Sequence, residues 1–169
     1  MDLNQKIEIV KAEYIEHGTK WMFKSDSKLW RVLQIIVKVL TFGKVANFLS
    51  AYSTTLGHTV YLKDGIEGIN LYAHLVHELV HVKQAEKYSM PLFTFLYVVF
   101  PLPIGLAWFR WKFEREAYLA GGKAYLEFLP ELDKGVYADH VAENLGGSPY
   151  LWAWPFKRKI REWILSNLG

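Results

Sequence analysis

The sequence predicts an α+β domain, mostly helical, with one small β-sheet. Three patterns lead there. Leu29, Val32, Leu33, Ile36, Val37 and Leu40 recur at the three- and four-residue steps that give a helix one apolar face. From Phe48 to Lys63 the pattern changes to Thr, Tyr and Val around Leu56-Gly57, the mark of a hairpin. From about Asn70 to Tyr88 the helical period returns.

Taken in order, Ser27 is suited to cap the first of these helices and Phe42-Gly43 to end it. Thr59-Val60-Tyr61-Leu62-Lys63 is the stronger strand of the hairpin, and Asp64-Gly65 and Glu67-Gly68 mark turns before the next helix. A second long helix is expected from about Leu106 to Phe128, with Gly121-Gly122 as a weak point that would kink or interrupt it. Pro130 to Leu145 should form another helix, stopped by Gly146-Gly147. Pro155 suits the first turn of a C-terminal helix carrying Ile160, Trp163 and Ile164. No repeat, low-complexity tract or Gly/Ser-rich linker divides the chain, so residues 1–169 are expected to form a single domain.

Composition narrows the function classes. With 51% hydrophobic and 16% aromatic residues, the chain has ample apolar surface to offset the entropy of ordering, which excludes a disordered protein. The lack of cysteine excludes disulfides and leaves any metal to His, Asp and Glu. The net charge of +3 is modest, and basic residues are scattered apart from Lys157-Arg158-Lys159 and Arg161. A nucleic-acid binder carries a denser basic stripe, so no such partner is expected. The first residues, MDLNQKIEIV, place acidic and amide side chains where a secretion signal has a basic region and an apolar run, so a cytoplasmic protein is expected.

One stretch raises the question of a membrane. Leu92 to Phe109, LFTFLYVVFPLPIGLAWF, holds no charge and is long enough to span, but Pro101-Leu102-Pro103 cuts it into two short pieces. The expectation is a buried or interfacial hairpin. A peripheral membrane contact through residues 92–111 would then use Trp108, Arg110, Trp111 and Lys112 at the headgroup boundary.

The chemistry concentrates in His77-Glu78-Leu79-Val80-His81. Residues four apart in a helix lie one turn from each other on one face, so His77 and His81 can aim both imidazoles at a single ion. Glu78 is rotated by roughly 100° from His77 and reaches beside that ion. Two neutral nitrogen ligands with a carboxylate able to take a proton from water are what metal-assisted hydrolysis needs, and HExxH is a zinc metalloprotease signature. His74 lies on nearly the same face but is better suited to supporting a ligand or packing in the core than to ligating from the same helix. A catalytic zinc takes three protein ligands and keeps one open position. Phe113-Glu114-Arg115-Glu116-Ala117-Tyr118, on the next long helix, offers two carboxylates for the third place. Glu114 and Glu116 point to roughly opposite faces, so they do not share one ion.

HExxH followed by this segment resembles the gluzincin metallopeptidases. There a later helix supplies a ligand Glu in an ExxSD motif, as in thermolysin-like enzymes, or in an ExxAD motif, as in HtpX-type and CAAX prenyl proteases. Glu114-Arg115-Glu116-Ala117 matches the ExxA part. The resemblance implies a zincin-like domain in which His77, His81 and Glu114 bind Zn2+ and Glu78 is the general base. It also implies an edge strand above the metal helix, the place of Thr59–Lys63, on which an extended peptide pairs. Tyr118 stands where the family has an Asp that hydrogen-bonds a ligand histidine. A Tyr or His usually completes such a site by bonding the developing oxyanion, and the candidates are His140 and Tyr150, the latter in Gly146-Gly147-Ser148-Pro149-Tyr150.

The expected function is therefore zinc-dependent hydrolysis of peptide bonds in a peptide or protein substrate. Two alternatives stand beside it: a non-catalytic, metal-stabilised binding or scaffold module, and a membrane-associated protease. A purely structural site has no use for Glu78 as a base, which separates the first alternative from the enzyme.

Overall fold

The computed structural model describes residues 1–32, 35, 53–98, 106–147, 150 and 152–169. Helix α1 (Leu3–Glu16) opens with a capping box: Asp2 accepts from the Gln5 N–H, and the Gln5 side chain accepts from the Asp2 N–H. Its buried face is Ile7, Val10 and Tyr14, spaced by three and four. At the other end Gly18, at φ 61°, lets the N–H groups of Gly18 and Thr19 return to the carbonyls of Ile15 and Tyr14, a Schellman close. That turn sends the chain into strand β1 (Lys20–Phe23). Neither α1 nor β1 was expected from the sequence.

Ser27 does cap the next helical stretch, its hydroxyl accepting from the Trp30 N–H, and residues 28–32 are helical. Trp30 packs edge-on against Tyr61. The remainder of the expected apolar face, its stop at Phe42-Gly43, the hairpin residues before Ser53 and the Pro101-Leu102-Pro103 break lie outside the described residues.

The hairpin forms from β2 (Thr54–Leu56) and β3 (Thr59–Leu62), with Gly57 at φ 59° in the turn. The sheet order is β1-β3-β2, parallel between β1 and β3 and antiparallel between β3 and β2. This corrects one expectation. Thr59–Leu62 is the central strand, with Val60 and Leu62 fully buried, and the edge beside the metal helix is β2. The reason is non-local: β1 pairs with β3 from some forty residues upstream, and no local pattern announces that pairing.

Helix α2 (Gly68–Tyr88) carries the HExxH turn and ends at Ser89, whose φ of 64° redirects the chain into α3 (Met90–Val98). Among the described residues no helix is long and apolar enough to cross a membrane. Helix α4 (Trp108–Phe128) runs unbroken through Gly121-Gly122, against the expected kink. The glycines serve close approach instead. A Cβ at Gly121 would lie 3.3 Å from the Ala73 carbonyl oxygen, and one at Gly122 only 2.7 Å from the Tyr137 ring. Asp133 caps α5 (Lys134–Leu145), four residues later than the expected start at Pro130, and Gly146 closes it as expected. Helix α6 (Lys157–Leu168) begins two residues beyond Pro155.

These elements pack in an α+β arrangement, mostly helical with a three-stranded sheet. One core joins α1, β3 and α2 through Tyr14, Val60, Leu62, Leu75 and Leu79. A second joins Trp111 of α4 to α5 and α6 through Val141, Leu145, Ile160 and Ile164. Phe93 of α3 and Phe113 of α4 meet Ala85 of α2 in a third. α2 and α4 thus lie between the cores, held from both sides.

Candidate metal centre

Helices α2 and α4 run antiparallel, and successive turns of one meet successive turns of the other. His81 faces Glu114, His77 faces Tyr118, Ala73 faces Gly121, and Asn70 faces Tyr125. Steps of three and four residues on both helices keep these partners on the two facing stripes. This register brings three potential ligands together. His77 Nε2 lies 3.4 Å from Glu114 Oε2, and His81 Nε2 lies 3.4 Å from Glu114 Oε1. One ligand atom from each residue falls within 4.8 Å of the other two.

The three side chains form a donor set that could hold a divalent metal ion. Glu114 is only 1% exposed, and its Oε2 has His77 Nε2 at 3.4 Å and no closer hydrogen-bond partner among the described residues. A buried carboxylate oxygen without a hydrogen-bond partner costs free energy unless a cation meets it. Two imidazoles and one carboxylate leave a fourth tetrahedral position open.

Without a metal the same groups hold a proton. Burial works to lower the His81 pKa, but the charge of Glu114 and its hydrogen bond prevail and raise it to about 9. Burial likewise works to raise Glu114, and the imidazole charges and hydrogen bonds take it well below the usual carboxylate range.

Around this group the supports differ from those expected. Tyr118 was the candidate to bond a ligand imidazole through its hydroxyl; instead its ring packs edge-on against His77, centroids 4.8 Å apart. Its hydroxyl is 3.2 Å from that of Tyr150 and accepts from Asn144. The residue that does bond a ligand imidazole is Gln84, whose Oε1 is 2.9 Å from His81 Nδ1. Glu116, the rival third ligand, bonds Gln84 and has no place in the ligand group. Tyr97 of α3 donates its hydroxyl to Glu114 Oε1. Burial first, then the Glu114 charge, pushes the Tyr97 pKa up, so the hydroxyl keeps its proton. Neither Gln84 nor Tyr97 was singled out in the sequence. Gln84 follows His81 by three, one turn along the same face, which is the one signal available for it.

Comparison with family models, curated proteins and solved structures finds no match to this chain.

The metal group borders a cavity of about 450 Å³, a size ordinary for a ligand pocket. His77 and Glu78 form part of its wall, while His81 and Glu114 lie behind. Glu78 is 6% exposed and accepts a 2.7 Å hydrogen bond from Thr55 of β2, so the sheet edge fixes the carboxylate beside the histidine pair. Both oxyanion candidates, His140 and Tyr150, line the same cavity, as does Tyr118. Burial and the Glu114 charge keep the Tyr150 hydroxyl protonated. His140 lies 3.0 Å from Asn144 on the same helix. His74 also borders the cavity and donates from Nδ1 to the Asn70 carbonyl, outside the ligand group. Burial lowers its pKa, which keeps it neutral.

Proposed function

We propose that this chain is a zinc-dependent metallopeptidase with a zincin-like fold. One observation carries the proposal: His77, His81 and Glu114 converge on one point at the edge of a cavity, and Glu78 stands in the wall beside them. His77, His81 and Glu114 would hold the ion. When bound, it supplies a Lewis acid that polarises the scissile carbonyl and makes water acidic near neutral pH.

Glu78, steadied by Thr55, takes the proton from the attacking water and passes it to the leaving amine. A hydroxyl held protonated by its surroundings, as Tyr150 is, suits hydrogen bonding to the oxyanion; His140 of α5 is its alternative. Among the described residues strand β2 is the sheet edge nearest Glu78, and its backbone groups suit pairing with an extended peptide in the place first given to β3.

The test is hydrolysis of a peptide panel by the zinc-loaded protein and by Glu78→Gln. The expected result is retained zinc and a loss of turnover of about 10²- to 10⁴-fold. Unchanged turnover in Glu78→Gln would remove Glu78 as the base, and bound zinc with no hydrolysis of any peptide by the wild type would leave a metal-stabilised binding module in place of the enzyme.

A specific surface feature favours a membrane-associated form of the same enzyme. Leu92 and Phe95 of α3 and Leu106 and Trp108 at the start of α4 are 44–50% exposed. Large apolar side chains of this kind suit a peripheral contact through residues 92–111, although Trp111 and Arg110 are buried and take no part. Co-sedimentation with vesicles that is lost in Phe95→Ser/Trp108→Ser is expected; recovery of the wild type in the supernatant would rule this form out.

A further inference from the structure

We infer that Gln84 and Glu116 are positioning residues that hold His81 in the one neutral tautomer able to ligate through Nε2. The inference deepens the metallopeptidase proposal and rests on it for the identity of the ion. It follows from counting hydrogens. Gln84 Nε2 is 3.2 Å from the Phe113 carbonyl oxygen and 2.9 Å from Glu116 Oε2. A carbonyl and a carboxylate only accept, so this end of the amide must be the nitrogen, and both its hydrogens are used.

The other end, Oε1, faces His81 Nδ1 at 2.9 Å. An amide oxygen has no hydrogen to give, so Nδ1 carries the hydrogen and donates it. In neutral imidazole that leaves the lone pair on Nε2, the atom 3.4 Å from Glu114 Oε1. Two lone pairs then meet among side chains 7% and 2% exposed, an arrangement that calls for a proton or a metal ion between them.

The flipped amide shows why a carboxylate stands at position 116. With oxygen and nitrogen exchanged, Gln84 would face two acceptors with its oxygen and would donate to Nδ1, placing the imidazole hydrogen on Nε2 and blocking the ligand. Phe113 and Glu116 both oppose that flip, Glu116 with a charge-assisted bond. The relay therefore runs from an exposed charge on α4, through a Gln 6% exposed on α2, to a buried ligand. It does for His81 what an Asp at position 118 would do for His77, whose partner there is the Tyr118 ring.

The probe is Zn2+ alone, titrated into the metal-free full chain against a chelator, with thermal melts confirming that each variant is folded. Gln84→Met should weaken zinc binding by about 10- to 100-fold, and Glu116→Gln by less. In Gln84→Glu the new carboxylate faces Glu116, and affinity falls again. Adding Glu116→Gln to that variant restores a donor–acceptor pair and should recover most of the loss. A side chain that only fills space gives no such recovery.

Wild-type affinity in Gln84→Met, or a double variant no better than Gln84→Glu alone, would overturn the relay. Zinc binding without peptide hydrolysis would defeat the metallopeptidase and leave the relay standing. If the wild type binds no zinc, 15N imidazole shifts of metal-free protein above pH 9, where His81 is neutral, still decide: the ring hydrogen belongs on Nδ1 in the wild type and moves toward Nε2 in Gln84→Met.

Discussion

His77 and His81 sit one helical turn apart and face the same carboxylate, yet they are held by different physics. The His81 side chain is 7% exposed, and a directed polar chain of Gln84 and Glu116 fixes its ring. The His77 side chain is 14% exposed, borders the cavity, and has the edge of the Tyr118 ring beside it in place of a hydrogen bond from Nδ1 among the described residues. Directed bonds set one angle and one tautomer, whereas an aromatic edge restricts tilt and leaves the tautomer to the ion. Metal affinity should therefore depend on the His81 side, and substrate access on the His77 side, where Glu78, Tyr150 and His140 also gather.

The widest disturbance of the His77 side comes from the glycines beneath it. Gly122→Ala places a methyl 2.7 Å from the Tyr137 ring and 2.8 Å from Leu168, and it should cost about 1–3 kcal/mol of stability in denaturant unfolding. Gly121→Ala presses on the Ala73 backbone at 3.3 Å and should cost less. A melt unchanged in Gly122→Ala would mean that α4 and α5 are not packed as described.

A smaller effect separates the ring of Tyr118 from its hydroxyl. Tyr118→Phe keeps the edge contact and should leave zinc affinity unchanged, while Tyr118→Leu removes it and should weaken binding by roughly 2- to 10-fold, the worth of an aromatic contact. Equal losses in both variants would show that the hydroxyl, not the ring, supports His77.

A separate effect, seen only in metal-free protein, is a pH dependence carried by His81 and its partner Glu114. Its pKa is raised from 6.5 to about 9, so the pairing with Glu114 stabilises fully below 6.5 and is lost as pH rises through 9. Glu114 is shifted down, so its own share is present above 4.5 and is lost only as pH falls through its depressed value. The melting temperature of metal-free protein should decline from pH 6.5 to 9, and Glu114→Gln should abolish that decline. The same decline in both proteins would place its source elsewhere.

Much of the α2 side was legible in the sequence because its signals are local. HExxH places two imidazoles on one face through helix geometry alone, and Gly57 between β-rich runs marks the hairpin. Glu114 could be chosen over Glu116 by resemblance to a known motif, and the antiparallel register of α2 and α4 agrees with that choice. Tyr97 was hidden inside an apolar run and Gln84 inside the mixed helical run Val82-Lys83-Gln84-Ala85-Glu86, where each looks like an ordinary member of its neighbourhood. Their roles depend on which helix faces which, and that is set by tertiary packing. The capping box of α1 and its Ile7, Val10, Tyr14 spacing are local signals that the sequence does carry. Strand β1 is short, and only its distant pairing with β3 defines it.

The most direct test of the metal centre is zinc affinity in the wild type, Glu114→Ala and Glu116→Ala, measured on metal-free protein by chelator competition. The predicted result is one zinc per chain in the wild type, weaker but saturable binding in Glu116→Ala, and no binding at the same concentrations in Glu114→Ala. Wild-type affinity in Glu114→Ala would contradict the assignment of His77, His81 and Glu114 as the ligands.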